Sequence, residues 1–172
     1  MPITARSAAL AGFAQTLKAL DAILDKALEQ ATARRIAPEV LLAARIAPDM
    51  LPFTRQIQLT CDFAKNAVFR LSGAENPKMP DVETSFEELK ARIGKTLGFV
   101  ESADDAALDV GLGRDVTFPR GPSATVTMKG EKYLTLFAVP NFYFHAATAY
   151  AILRENGIQI GKSDFLAGVL DS

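Results

Sequence analysis

Pro140-Asn141-Phe142-Tyr143-Phe144-His145-Ala146-Ala147-Thr148-Ala149-Tyr150-Ala151-Ile152-Leu153-Arg154-Glu155-Asn156-Gly157 is the stretch that decides the fold. A proline opens it and a glycine closes it, the punctuation of a single α-helix. Phe142, Tyr143 and Phe144 advance by about 100° per residue, so aromatic rings cover most of the circumference at that end. A helix that is apolar all round must be covered all round. Either the neighbouring loop and tail do this, or a second subunit does. The same stretch carries the chain's only histidine, His145. Asn141 stands one turn earlier on the same face.

Three further helices can be read upstream. Leu10, Phe13, Leu17, Leu20, Leu24 and Leu28 recur at steps of three and four, which predicts an amphipathic helix over residues 4–34. Pro38 and Pro48 bracket a short piece that starts one or two helical turns. Phe53, Ile57, Cys61, Ala64, Val68 and Leu71 form the apolar face of a second long helix, from about Pro52 to Leu71, ended by Gly73. Thr84-Ser85-Phe86-Glu87 reads as a capping box. It opens a third helix marked by Phe86, Leu89, Ile93, Leu97 and Val100, to about Ser102. Gly94 and Gly98 lie inside it, and the usual return for such glycines is close approach by a neighbouring helix.

Between Val110 and Gly130 the pattern changes. Asp115–Pro119 and Ala124–Met128 are β-prone, and Arg120-Gly121-Pro122-Ser123 is turn chemistry. A small hairpin or an irregular connection is expected there. Residues 131–139 return to helical composition, with a kink or a stop at Pro140, which has no amide hydrogen. The tail after Gly157 is apolar enough to dock on the bundle. These elements specify an all-α four-helix bundle with a long connection before its last helix. The 172 residues, 49% hydrophobic, fit one domain spanning residues 1–172.

Composition removes several function classes. Net charge is −1 and basic residues are scattered, Arg34-Arg35 being the only doublet, so no nucleic-acid partner is expected. No stretch is read as an uninterrupted membrane span, and the N-terminal residues do not start a signal peptide. A lone cysteine, Cys61, permits no intrachain disulfide and suits a reducing cytoplasm. Within an apolar helical pattern it reads as a structural thiol.

The polar residues inside the apolar pattern are the candidates for chemistry. Gln58 and Asp62 are one turn apart on helix 2, with Lys65 beyond. Asn141 and His145 occupy the equivalent border of helix 4. If the two helices pack side by side, the four converge, and His145 pairs with Asp62 or Gln58. Three readings follow. Gln58, Asp62, Asn141 and His145 hold a divalent metal of modest affinity. Alternatively, His145 acts as a general acid or base oriented by Asp62. The plainest reading is a hydrogen-bond network that sets helix register. Asp21 with Asp25, and Asp104 with Asp105, read as solvated faces. Gly111-Leu112-Gly113 lacks the flanking residues of a phosphate loop.

The last-helix stretch from Asn141 to Gly157 with Gly161-Lys162, together with Gln56-Ile57-Gln58 and Asp62-Phe63-Ala64-Lys65, resembles a bacterial domain-of-unknown-function family. That family is placed among the DinB/YfiT-like four-helix bundles. The resemblance covers essentially the whole chain and implies a DinB-like topology, often dimeric. Many DinB-like proteins bind a metal through three histidines, one on the second helix and two one turn apart on the last. His145 matches the second of the last-helix pair, Asn141 stands where the first would be, and the helix-2 position falls near Gln58 or Asp62. The expectation is therefore a homodimeric DinB-like bundle without the three-histidine site and with no reaction assigned. A metal-dependent hydrolase or thiol transferase with a degenerate site, and a small-molecule binding module, are the alternatives.

Overall fold

The computed structural model describes residues 3–169. Phe13, Leu17, Leu20 and Leu24 are buried as the periodicity requires, on α1 (Ala11–Ala33), and Leu10 is buried at the end of the π-helical turn (Arg6–Leu10) that leads into it. The short piece after Pro38 is α2 (Pro38–Ala43). Helix α3 (Phe53–Ser72) buries Phe53, Ile57, Cys61, Ala64, Val68 and Leu71. It stops at Gly73, whose φ of 76° is the left-handed C-cap that a side chain would disfavour. Cys61 is fully buried, and burial pushes its thiol up to about 12, against a smaller opposing effect of the Thr96 hydrogen bond. It is the structural thiol expected.

Helix α4 (Phe86–Glu101) begins one residue later than the capping box predicted. Ser85 is the N-cap and accepts from the Glu88 amide at 3.2 Å, while the Glu88 carboxylate takes the Thr84 amide at 2.6 Å. Two hydroxyl residues followed by two glutamates allow either register. Phe86 settles it by being buried at the first helical position. A helix that the periodicity did not reveal follows: α5 (Asp105–Leu112). Asp104 is its N-cap, accepting from the amides of Ala106 and Ala107, and Asp105 pairs with Arg6, so neither is merely a solvated charge. Asp21 and Asp25 likewise face Lys90 across α1 and α4.

The expected hairpin is present. Strands β1 (Asp115–Arg120) and β2 (Ala124–Lys129) pair antiparallel, with Val116 opposite Met128 and Phe118 opposite Val126. A two-stranded ribbon needs a partner to pack on. Phe118 supplies it, meeting Tyr133 and Phe137 at centroid distances of 5.2 and 4.7 Å, with the Arg70 guanidinium 5.0 Å over its ring.

The break expected at Pro140 does not occur. Helical backbone continues through α6 (Gly130–Tyr133), a π-helical turn (Leu134–Ala138) and α7 (Val139–Glu155). Pro140 lies in the first turn of α7, and the wider turn before it takes up the disturbed hydrogen-bond ladder. The Asn141 side-chain amide donates to the Phe137 carbonyl at 2.7 Å in that turn. Read without the break, the 26 residues from Gly130 to Glu155 hold an 18-residue window of mean hydropathy 1.2, long and apolar enough to cross a membrane by length and composition alone. Here they form a packed core helix that lies along α3 and buries Phe142, Ala146, Ala149, Ile152 and Leu153. The short α8 (Lys162–Phe165) docks on α1, where Lys26 pairs with Asp164 and Gln15 donates to the Phe165 carbonyl. The four long helices α1, α3, α4 and α7, with the hairpin before the last, are the four-helix bundle that the sequence specified.

The glycines separate packing from its absence. Gly94 and Gly98 do not admit a neighbouring helix: both face solvent, and a Cβ on either meets nothing within 4 Å. Backbone meets backbone elsewhere. A Cβ on Gly111 would lie 2.0 Å from the Leu71 carbonyl oxygen, and one on Gly130 would lie 2.1 Å from that of Gly111. Urea unfolding therefore gives opposite signs for the same chemical change. Gly94→Ala stabilises by up to about 1 kcal/mol through helix propensity alone. Gly111→Ala destabilises by about 2 kcal/mol or more, since the junction of α3, α5 and α6 must open.

Candidate functional site

Helices α3 and α7 do pack side by side, but they bring different partners together than the periodicity suggested. The residue facing His145 is Gln56, not Gln58 or Asp62. Gln56 is buried on the Phe53–Ile57–Thr60 side of α3, and its Oε1 lies 2.7 Å from His145 Nδ1. The Gln56 amide nitrogen donates to the Leu51 carbonyl at 3.0 Å, which fixes which way the amide points. An amide oxygen only accepts, so Nδ1 carries the proton. The imidazole stacks on Phe63, with centroids 5.6 Å apart and planes at 14°, and Phe144 approaches edge-on at 5.2 Å. His145 Nε2 makes no hydrogen bond among the described residues and is not buried, so its lone pair faces solvent. Burial, then the positive charge of Arg55, hold the His145 pKa below its ordinary 6.5. The ring is neutral at pH 7.

Gln58 and Asp62 belong to a second network, under the 74–85 connection. Arg92 of α4 is its centre, with 1% of its side chain exposed. Its Nη1 donates to the Pro80 carbonyl at 3.0 Å and to Glu83 at 2.8 Å, and its Nη2 donates to Asp62 at 2.8 Å and to Asp81 at 3.0 Å. Gln58 donates to Glu83 at 2.8 Å and accepts from Arg55 at 2.7 Å, and Lys65 donates to the Pro77 carbonyl at 2.8 Å. Burial raises the Asp62 carboxyl more than Arg92 lowers it. Burial also pushes Glu83 up, but hydrogen bonds from Arg92, its own backbone and Gln58 outweigh this, and the carboxyl sits below its usual range. Arg92 Nε is buried without a partner. No sequence pattern announced this cage, because Asp81 and Glu83 lie in a connection without periodicity.

The four residues expected to converge thus divide. Asn141 serves the π turn, His145 pairs with Gln56, and Gln58 and Asp62 serve Arg92. Among the described residues no three His, Cys, Asp or Glu side chains cluster as metal ligands. The donor set does not fit a resident metal: the neighbour of the one imidazole is an amide whose two ends are both engaged, and the charge that acts on the ring is the cation of Arg55. A cleft of about 800 Å³, lined by Thr4, Ser7, Leu134 and Thr135 among others, contains none of these groups.

Comparison with known proteins agrees with this architecture. The family described as Domain of unknown function (DUF1993) matches residues 7–166. The fold is similar to that in the crystal structure of a DinB family member protein from Shewanella denitrificans, with a TM-score of 0.85 and 37% identity, covering 92% of this chain and 89% of that one. No curated protein matches.

Two stability measurements follow from the geometry. Arg92→Ala leaves three carboxylates around an uncompensated gap and costs about 3–5 kcal/mol in urea unfolding, and Arg92→Lys recovers only part because one ammonium cannot serve both arms. His145 has a folded pKa below its unfolded value, so its contribution is complete above 6.5 and is lost as pH falls through the lowered folded value. Wild type should lose stability relative to His145→Gln as pH drops from 6.5 to the lowered folded value, and the two profiles should run parallel below it; parallel profiles throughout would refute the assignment.

Proposed function

From the premise that the chain belongs to the DUF1993 family, a DinB-like family of unknown function, we propose that it is a metal-independent binding module built on the DinB bundle. The observation that carries this is the Leu51–Gln56–His145 relay. At the place where the superfamily gathers imidazoles, this chain has one neutral imidazole held by an amide. Such a group positions and accepts a hydrogen bond, and it is a weak anchor for a divalent cation. Among the described residues the hydrogen-bond partner of the imidazole is an amide rather than a nucleophile, which favours binding over covalent catalysis. A single domain in a bacterial cytoplasm, with its one thiol buried and unpaired, completes the reading.

Homodimerisation belongs to the same proposal. Of the three consecutive aromatics, Phe142 is buried and Tyr143 lies against Gly12 of α1, leaving Phe144 56% exposed. Leu136 is 69% exposed, and Leu136, Pro140, Phe144 and Ala147 follow one another at helical spacing. An apolar stripe of this kind fits a second copy of the helix.

Elemental analysis of untagged protein, purified without chelator and then incubated with zinc, nickel and manganese, tests the first claim. Substoichiometric metal, unchanged in His145→Ala, is expected. Near-stoichiometric metal that disappears in that variant would restore the metal-dependent hydrolase or transferase. Light scattering tests the second: a dimer at micromolar concentration that Phe144→Glu converts to a monomer. A monomeric wild type would sink it.

A further inference from the structure

We infer that His145 Nε2 is the acceptor of a binding site for small compounds bearing an aromatic hydroxyl. This names the ligand class of the metal-independent site and rests on that reading. Nδ1 is committed to Gln56, whose amide is in turn committed to Leu51, so the second ring nitrogen holds a lone pair and no proton. That nitrogen is accessible, and no described group satisfies it. An acceptor held rigidly at a surface, with its tautomer fixed two bonds away, is complementary to a hydrogen-bond donor.

The neighbours select the donor. Phe63 lies parallel to the imidazole, and Phe137 meets Phe63 at 5.8 Å. An aromatic ring carrying the hydroxyl gains edge or offset contacts with these rings that an aliphatic alcohol lacks. Arg55 makes the surroundings unfavourable to a cationic donor such as an ammonium, and favourable to a neutral or acidic one. A phenolic hydroxyl meets all three conditions.

Because the chain has a single histidine, its ring nitrogens give one assignable pair of signals in a long-range ¹H–¹⁵N correlation spectrum of untagged ¹⁵N-labelled protein. The spectrum of free protein at pH 7.5 should show the Nδ1–H tautomer. Titration with phenol should move the Nε2 resonance toward the protonated range, saturably. Anisole, the same ring without the donor, should leave it in place. Gln56→Leu releases the tautomer and should weaken phenol binding about tenfold, the size of one ordinary hydrogen bond, with the rest of the spectrum retained. An Nε2–H tautomer, an equal response to anisole, or no saturable response to phenol would each overturn the inference. Elemental analysis of the same sample separates the two failures. A metal-free sample that ignores phenol refutes only the ligand class, whereas a metal lost with His145→Ala refutes the metal-independent reading itself.

Discussion

Helix α3 is packed by α7, α4 and α5 at once, so the polar side chains on its packed faces, Gln56, Gln58 and Thr60, are cut off from water. Gln56 and Gln58 are each 2% exposed, and Thr60 is fully buried. Leaving such groups unpaired would cost about 1–3 kcal/mol apiece. Each is therefore matched by a partner from another element or from its own backbone, and those partners order the surroundings. Gln56 reaches Leu51 on one side and His145 on the other; Gln58 reaches Arg55 and Glu83. The candidate site is thus a consequence of burial on this helix, before it is anything chemical.

The Arg92 cage follows from the same constraint. Desolvating a guanidinium is expensive, and one carboxylate does not repay it unless the remaining donors are also satisfied. Here three carboxylates and a carbonyl, drawn from α3 and from the connection between α3 and α4, take both Nη arms, while Nε stays buried without a partner. Because Asp81 and Glu83 come from that connection, the cage holds an otherwise irregular segment against the bundle. This explains why two of the residues expected near the histidine are absent from it. Asp62 lies nearer in sequence logic to His145 but nearer in charge to Arg92, and the charge decides.

How far the sequence could be read depends on the kind of signal. Apolar spacing placed the faces of α1, α3 and α4, and β-prone runs around Gly121 placed the hairpin, since each is a local pattern repeated over several residues. Helix α5 was missed because its eight residues span little more than two turns, too few for a period to stand out. Gln56 was missed because periodicity assigns a face, not a rotation within it: Gln58 and Asp62 looked equivalent from the border, and only packing on α7 shows which side of Ile57 meets the histidine. Gly94 and Gly98 misled for the opposite reason. Their spacing suggests close approach, but spacing carries no information about whether a neighbour is there.

The π turn ties these threads together. A regular α-helix through Pro140 would leave the Leu136 carbonyl without its donor; the backbone widens over Leu134–Ala138, and the Asn141 amide donates to the next carbonyl, that of Phe137. The side chain standing where a second imidazole is expected is thereby turned onto its own helix. The irregular turn and the single-imidazole site are in this sense one feature. The Asn141 amide is engaged by its own helix, and the imidazole at 145 is left to the partner that α3 supplies, Gln56.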